Sequence, residues 1–106
     1  MSLRSAINSA RAEAEVAFGN GDIYMEKYIV EPRHVEVQVM ADSQGNAVHF
    51  YERDCSIQRR HQKMVEESPC PILDKKTREE LCGSALRIIK ESKYVNAATA
   101  GCQLPR

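Results

Sequence analysis

From position 34 the chain reads HVEVQVMA, with valine at 35, 37 and 39 and His34, Glu36 and Gln38 between them. A period of two puts the valines on one side of an extended backbone and the polar residues on the other. Such a segment needs a neighbouring strand along its edge and an apolar layer against one face. DSQGN, residues 42–46, follows with turn chemistry, and its Gly45 can supply a positive φ. AVHFYERD, residues 47–54, then returns as an antiparallel partner. This hairpin commits the chain to a sheet with one buried face and one polar face.

The flanking segments supply the covering layers. Leu3, Ile7, Ala10, Ala14 and Phe18 recur at helical spacing, with Ser2 as N-cap and Gly19-Asn20-Gly21 as the stop. DIYMEKYIV, residues 22–30, is rich in aromatic and β-branched residues and predicts a strand broken at Pro32. KMVEESP, from residue 63, predicts a further short strand. Asp74 caps a second helix over residues 75–92, whose apolar stripe is Leu81, Ala85, Ile88 and Ile89. In the tail YVNAATAGCQLPR, Tyr94 and Val95 can start a strand, and nothing beyond Ala98 shows a clear hydrophobic face. Helix, several antiparallel strands and helix make an α+β layout.

The 106 residues, 42% of them hydrophobic, suit one domain with a modest core. Fifteen basic and fifteen acidic residues balance, which argues against a dedicated nucleic-acid binder. No apolar run is long enough to cross a bilayer. Cys55, Cys70, Cys82 and Cys102 contain no CxxC pair, and His34, His49 and His61 lack metal-ligand spacing, so no metal site is indicated. Nothing matches GxxxxGK[ST] or GxGxxG.

Three polar groups carry candidate chemistry. Glu26, Lys27 and Tyr28 form either one edge of a cleft or an ordinary half-charged strand. His34, Glu36 and Gln38 form either a solvated face or, with Arg33 beside His34, a place for a phosphate or ribose hydroxyl. Gln58, Arg59, Arg60, His61, Gln62 and Lys63 crowd donors into six positions. A solvated loop, an oxyanion site and a nucleic-acid backbone contact all remain open for them, the last being the weakest because few aromatics lie nearby.

The run MEKYIVEPRHVEVQVMADSQGNAVHFYERDCSIQRRHQKMVEESPCP resembles the biotin carboxylases, which are ATP-grasp ligases. EKY, PRHVEVQV, GNA, ERDCSIQRRHQK and VEE stand in family order and spacing. The resemblance extends from RAEAEVAFGNGD through REELCGSALRIIKESKY. It implies a partial ATP-grasp fold: the antiparallel sheet of the lid subdomain with flanking helices, residues 1–98, followed by a divergent tail, residues 99–106. By resemblance, Glu26, Lys27 and Ile29 match the hinge around adenine. His34 matches a residue near ribose and phosphates, and Gln58 and His61 match nucleotide contacts. Lys63 matches a catalytic lysine beside bicarbonate and the transferred phosphoryl group. Glu36 and Arg60 are left to hold neighbouring side chains.

The family uses ATP, Mg²⁺ and bicarbonate to carboxylate biotin on a carboxyl carrier domain, and a carboxyltransferase then receives the carboxyl group. A cytoplasmic or mitochondrial-matrix location is implied, with no nucleic-acid or membrane partner. The family's glycine-rich loop and EMN-type metal-binding acid have no counterpart in these residues. Where the family reads approximately GAGTVEFL, this chain reads NAATAGCQLPR. The isolated chain is therefore expected to be inactive, and a noncatalytic module pairing with a full-length carboxylase is the alternative. Self-association is expected from the stripe on the second helix together with sheet edges left open to pairing.

Overall fold

The computed structural model describes residues 2–105. The elements run α1 (Leu3–Phe18), β1 (Arg33–Ala41), β2 (Ala47–Arg59), β3 (Gln62–Glu67), α2 (Lys75–Glu91) and β4 (Asn96–Leu104). All four strands belong to one sheet in the order β3-β2-β1-β4, and every pairing is antiparallel. This is the expected α+β layout, an antiparallel sheet with two helices.

The caps follow the sequence. The Ser2 hydroxyl accepts from the Ser5 amide, and Gly19 closes α1 at φ 67°. The Asp74 carboxylate accepts from the Thr77 amide at 2.7 Å. In the β1–β2 loop Asp42 accepts from the Gln44 and Asn46 amides, each at 2.9 Å, and Gly45 takes φ 89°.

The core lies between one sheet face and α2. Val37 and Val39 pack against Cys82, Ala85 and Ile89, with Leu81 and Leu86 at the margin. Ile88 departs from the expected stripe and is 60% exposed; the helix turns its Cys82–Ala85–Ile89 side to the sheet instead. That side is covered by β1 and β2, so the stripe supplies no reason for self-association.

Two further expectations change. Residues 22–30 form no strand, and Tyr24, Met25, Tyr28 and Val30 are exposed. Strand-favouring side chains act through cross-strand neighbours, and this segment joins neither outer edge of the sheet, that of β3 or that of β4. Conversely, the tail does have a face. Ala98, Ala100, Cys102 and Leu104 alternate half-buried with exposed neighbours along β4. Ala98, Ala100 and Cys102 register with Val39, Val37 and Val35. Small residues hid this strand, which continues unbroken across residues 98 and 99.

One bulge governs the hairpin. Ala41 faces Ala47 and Val39 faces His49, but Val37 faces Glu52. The extra residue sits near Tyr51, at φ 63°, and reverses the facing of β2 beyond it. Without it Glu36 would oppose Glu52, and with it Glu36 opposes Arg53. Glu52 and Asp54 turn to the core side. There Arg78 of α2 donates to Glu52 at 2.7 Å, and Arg33 donates to Asp54 at 3.0 Å.

Candidate nucleotide cleft and its lysine

On the outer face of the sheet, β1 presents His34, Glu36 and Gln38. Glu36 is only 2% exposed, although no helix covers it. Two cations do. Arg53, directly across on β2, donates to Oε1, and Lys63 of β3 donates to Oε2. The second arm of Arg53 reaches Glu66 at 2.8 Å. His34 Nε2 lies 4.0 Å from the oxygen that Lys63 holds.

Charge decides the protonation states. Burial pushes the Glu36 carboxyl up, but the hydrogen bond and charge of Lys63, joined by Arg53, outweigh it and hold the group below its ordinary 4.5. The same hydrogen bond raises Lys63 above its ordinary value. Burial and the nearby Glu36 charge raise the Cys55 thiol, so Cys55 stays protonated and unreactive.

A cleft of about 300 Å³, a size within the range of small-molecule sites, opens beside this network. Ile29, His34, Gln58 and His61 all line it, with Pro32, Ser56 and Gln103 among the other walls. Its sides are fastened from below. The His34 amide donates to the Ser56 hydroxyl at 3.0 Å, and Ser56 in turn binds Asp54. The Gln58 side chain donates to the Cys55 carbonyl at 2.9 Å, which fixes it in the cleft wall. Of the residues matched to the adenine hinge, Ile29 is in the cleft. Glu26 and Lys27 are exposed on the irregular segment and do not line it. Lys63 lies outside the lining and joins the cleft through Glu36, which it shares with His34.

His61 enters the cleft from an unusual turn. β2 and β3 are joined by Arg60 and His61 alone, at φ 52° and 62°, the combination of a type I′ turn. The basic cluster is thus the end of one strand, a two-residue turn and the start of the next, not a loose loop.

Among the described residues, Glu36, Cys55 and Glu66 bring donor atoms within 4.8 Å of one another. They do not fit Mg²⁺. Both carboxylates are already neutralised by Arg53 and Lys63, and a hard cation would meet those positive charges and a protonated thiol.

Arg53, Ser56 and Gln103 were missed by sequence reasoning. Arg53 had a signal, an opposite charge near Glu36 in the hairpin, but counting back from the turn pairs Glu36 with Glu52. Gln103 lay in the tail that shows no pattern.

A family model described as carbamoyl-phosphate synthase L chain, ATP binding domain, matches residues 1–105. The pyruvate carboxylase of Staphylococcus aureus is 50% identical over 97 residues, 92% of this chain and 8% of that protein. The biotin carboxylase–β,γ-ATP complex from Campylobacter jejuni superposes with a TM-score of 0.85 at 52% identity, covering 98% of this chain and 23% of that one. The biotin carboxylase domain of Hydrogenobacter thermophilus 2-oxoglutarate carboxylase, in complex with MgADP, ADP and bicarbonate, gives 0.80 at 42% identity over 98% of this chain and 23% of that one. This chain therefore spans less than a quarter of each of these relatives. With the model matching nearly end to end, the chain belongs to the carbamoyl-phosphate synthase L chain ATP-binding domain family, and covers an internal module of its biotin carboxylase, ATP-grasp branch.

Proposed function

We propose that this chain is the part of a biotin carboxylase that receives adenine nucleotide, in a module that uses ATP and bicarbonate to carboxylate carrier-borne biotin. The observation that carries the reading is the convergence of Ile29, His34, Gln58 and His61, drawn from separate segments, on one cleft beside Lys63. An apolar wall from Ile29 and Pro32 suits the face of a purine. The Gln58 and histidine side chains offer donors and acceptors to ribose and phosphate oxygens. The Lys63 ammonium offers charge where an oxyanion would gather it in phosphoryl transfer. Mg²⁺, when present with the nucleotide, would neutralise phosphate charge; the acids found here do not form its site. A carboxyl carrier domain and a carboxyltransferase are the partners that this function entails for the whole module.

Isothermal titration of the chain with MgATP, repeated with His34→Ala and Gln58→Ala, tests the reading. Each substitution removes a hydrogen-bonding group, so each is expected to weaken binding by about 1 kcal/mol, roughly fivefold in Kd. Saturable binding to the unaltered chain that neither substitution weakens would remove the cleft from consideration.

A further inference from the structure

The two outer edges of the sheet differ. β3 ends it on one side with Lys63, Glu66 and Glu67, and its register with β2 breaks twice. Charges and bulges of this kind keep an edge from pairing further. β4 ends the sheet on the other side. All nine of its residues, Asn96–Leu104, register with β1 without a shift, and none is charged or a proline. Among the described residues nothing pairs along its outer side. A long, regular, uncharged edge offers a row of main-chain donors and acceptors to another strand. Its side chains are also incompletely covered. α2 packs across β1 and β2, and on that side of the sheet Ala98, Ala100, Cys102 and Leu104 of β4 are only half-buried.

We propose that the outer edge of β4 pairs antiparallel with β4 of a second copy of this chain, joining two four-stranded sheets into one about a perpendicular two-fold axis. An antiparallel pair is self-complementary, and an uncharged strand does not repel its own kind. The chain as a whole has no net charge to hold two copies apart. An axis through Ala100 sets Asn96 against Leu104 and Ala98 against Cys102. All nine residues then pair, and the half-buried row continues across the seam. That ladder supplies about nine main-chain hydrogen bonds, as many as a typical interface holds. Nor does α2 obstruct it. With strands about 4.8 Å apart, helices seated over β1 and β2 lie roughly 19 Å apart across the axis, and each is about 10 Å wide. The seam is one strand deep, so the dimer is weak, with a Kd in the micromolar range. It is also closed, because the edges left at its two ends are both the charged β3.

Sedimentation velocity of the whole chain across the micromolar range, with reductant present so that Cys102 forms no crosslink, is expected to show monomer and dimer and nothing larger. Hydrogen exchange followed by NMR should show β4 amides better protected in concentrated samples than in dilute ones, and β3 amides unchanged. Thr99 probes the seam itself. Its side chain is exposed on the sheet face away from α2, and in this register it lies diagonal to Thr99 of the second copy, about 7–8 Å away. Thr99→Lys alone and Thr99→Glu alone should each weaken association roughly tenfold, because like charges then face each other across the axis. An equimolar mixture of the two variants should restore it, which a misfolded variant or a contact through another surface would not do. A monomer at every concentration would overturn the proposal and leave β4 to a foreign strand. A dimer indifferent to both Thr99 substitutions would overturn it too and move the contact to another face, such as the groove between α1 and residues 22–25. So would variants that stay apart when mixed, or β4 amides whose exchange ignores concentration.

Discussion

Arg60 and His61 carry side chains at backbone angles that glycine and asparagine adopt at little cost. Left-handed backbone costs an L-residue about 1–2 kcal/mol, against roughly 0.5–1 kcal/mol of extra chain entropy for glycine. Arg60→Gly is therefore expected to stabilise the chain by about 0.5–1 kcal/mol in urea unfolding. Because Arg60 does not line the cleft, nucleotide affinity should be unchanged; a destabilised variant would mean that the guanidinium makes a contact outweighing the turn strain. Acid sensitivity also belongs to single residues. Burial pushes Asp54 up, but hydrogen bonds from Ser56, together with Arg33, hold it below its ordinary 3.8, and Glu36 lies below 4.5. The unfolded chain thus binds more protons than the folded one in acid. The contribution of these carboxylates is complete above their ordinary values and is lost as pH falls through the lower, folded ones. The urea midpoint should decline as pH drops below 4.5, and Asp54→Asn should flatten that decline. An equally steep decline in Asp54→Asn would assign the acid sensitivity elsewhere.

Between elements, one ion pair joins helix to sheet. Glu52 is fully buried and Arg78 of α2 is its only cationic partner among the described residues; the same arginine donates to the Cys70 carbonyl at 3.0 Å. Arg78→Met strands a buried carboxylate and is expected to destabilise by about 3 kcal/mol. Adding Glu52→Gln, which removes the charge but keeps an acceptor for the Cys70 amide, should recover most of that loss. Denaturant midpoints for the two variants measure it, and a double variant no better than the single one would contradict the pairing. The bulge makes a second prediction. Deleting Tyr51, the extra residue, would restore a regular ladder while keeping Val37 opposite Glu52 and Glu36 opposite Arg53. Cooperative unfolding should therefore be retained, seen as a single sharp thermal transition in circular dichroism; a broadened one would show that the bulge itself supports the sheet.

Across the whole molecule, the sheet and α2 form one unit, and α1 contributes no buried residue to it. Its Leu3, Ala6, Ile7 and Ala10 instead line a groove with Ile23, Tyr24 and Met25. Removing residues 1–21 should leave the backbone amide spectrum of β1–β4 and α2 nearly unchanged, with stability altered by less than about 1 kcal/mol, the usual scale for changes away from a core. Widespread shifts in the valines of β1 would show that α1 supports the sheet. The cleft should persist in the shortened chain, because the segment bearing Ile29 and Pro32 is retained.

The two helices, their caps, the β1–β2 hairpin and the Gly45 turn were legible in the sequence, because each depends on neighbours a few residues away. The motif around Gln58, His61 and Lys63 was legible too, through resemblance. Three things were decided only by tertiary structure. Residues 22–30 did not become a strand: β1 pairs with β2 and β4, and the segment joins neither outer edge of the sheet. Small residues became β4 because β1 needed a second neighbour and Val35, Val37 and Val39 needed flanking apolar cover. The bulge beside Tyr51 chose which charges meet, placing Glu52 with Arg78 inside and Glu36 with Arg53 and Lys63 outside. A one-residue shift in register reverses every side chain beyond it, and its cost or gain depends on what lies on the two faces. Those faces are made of α2 and β3, which no local stretch of β2 contains.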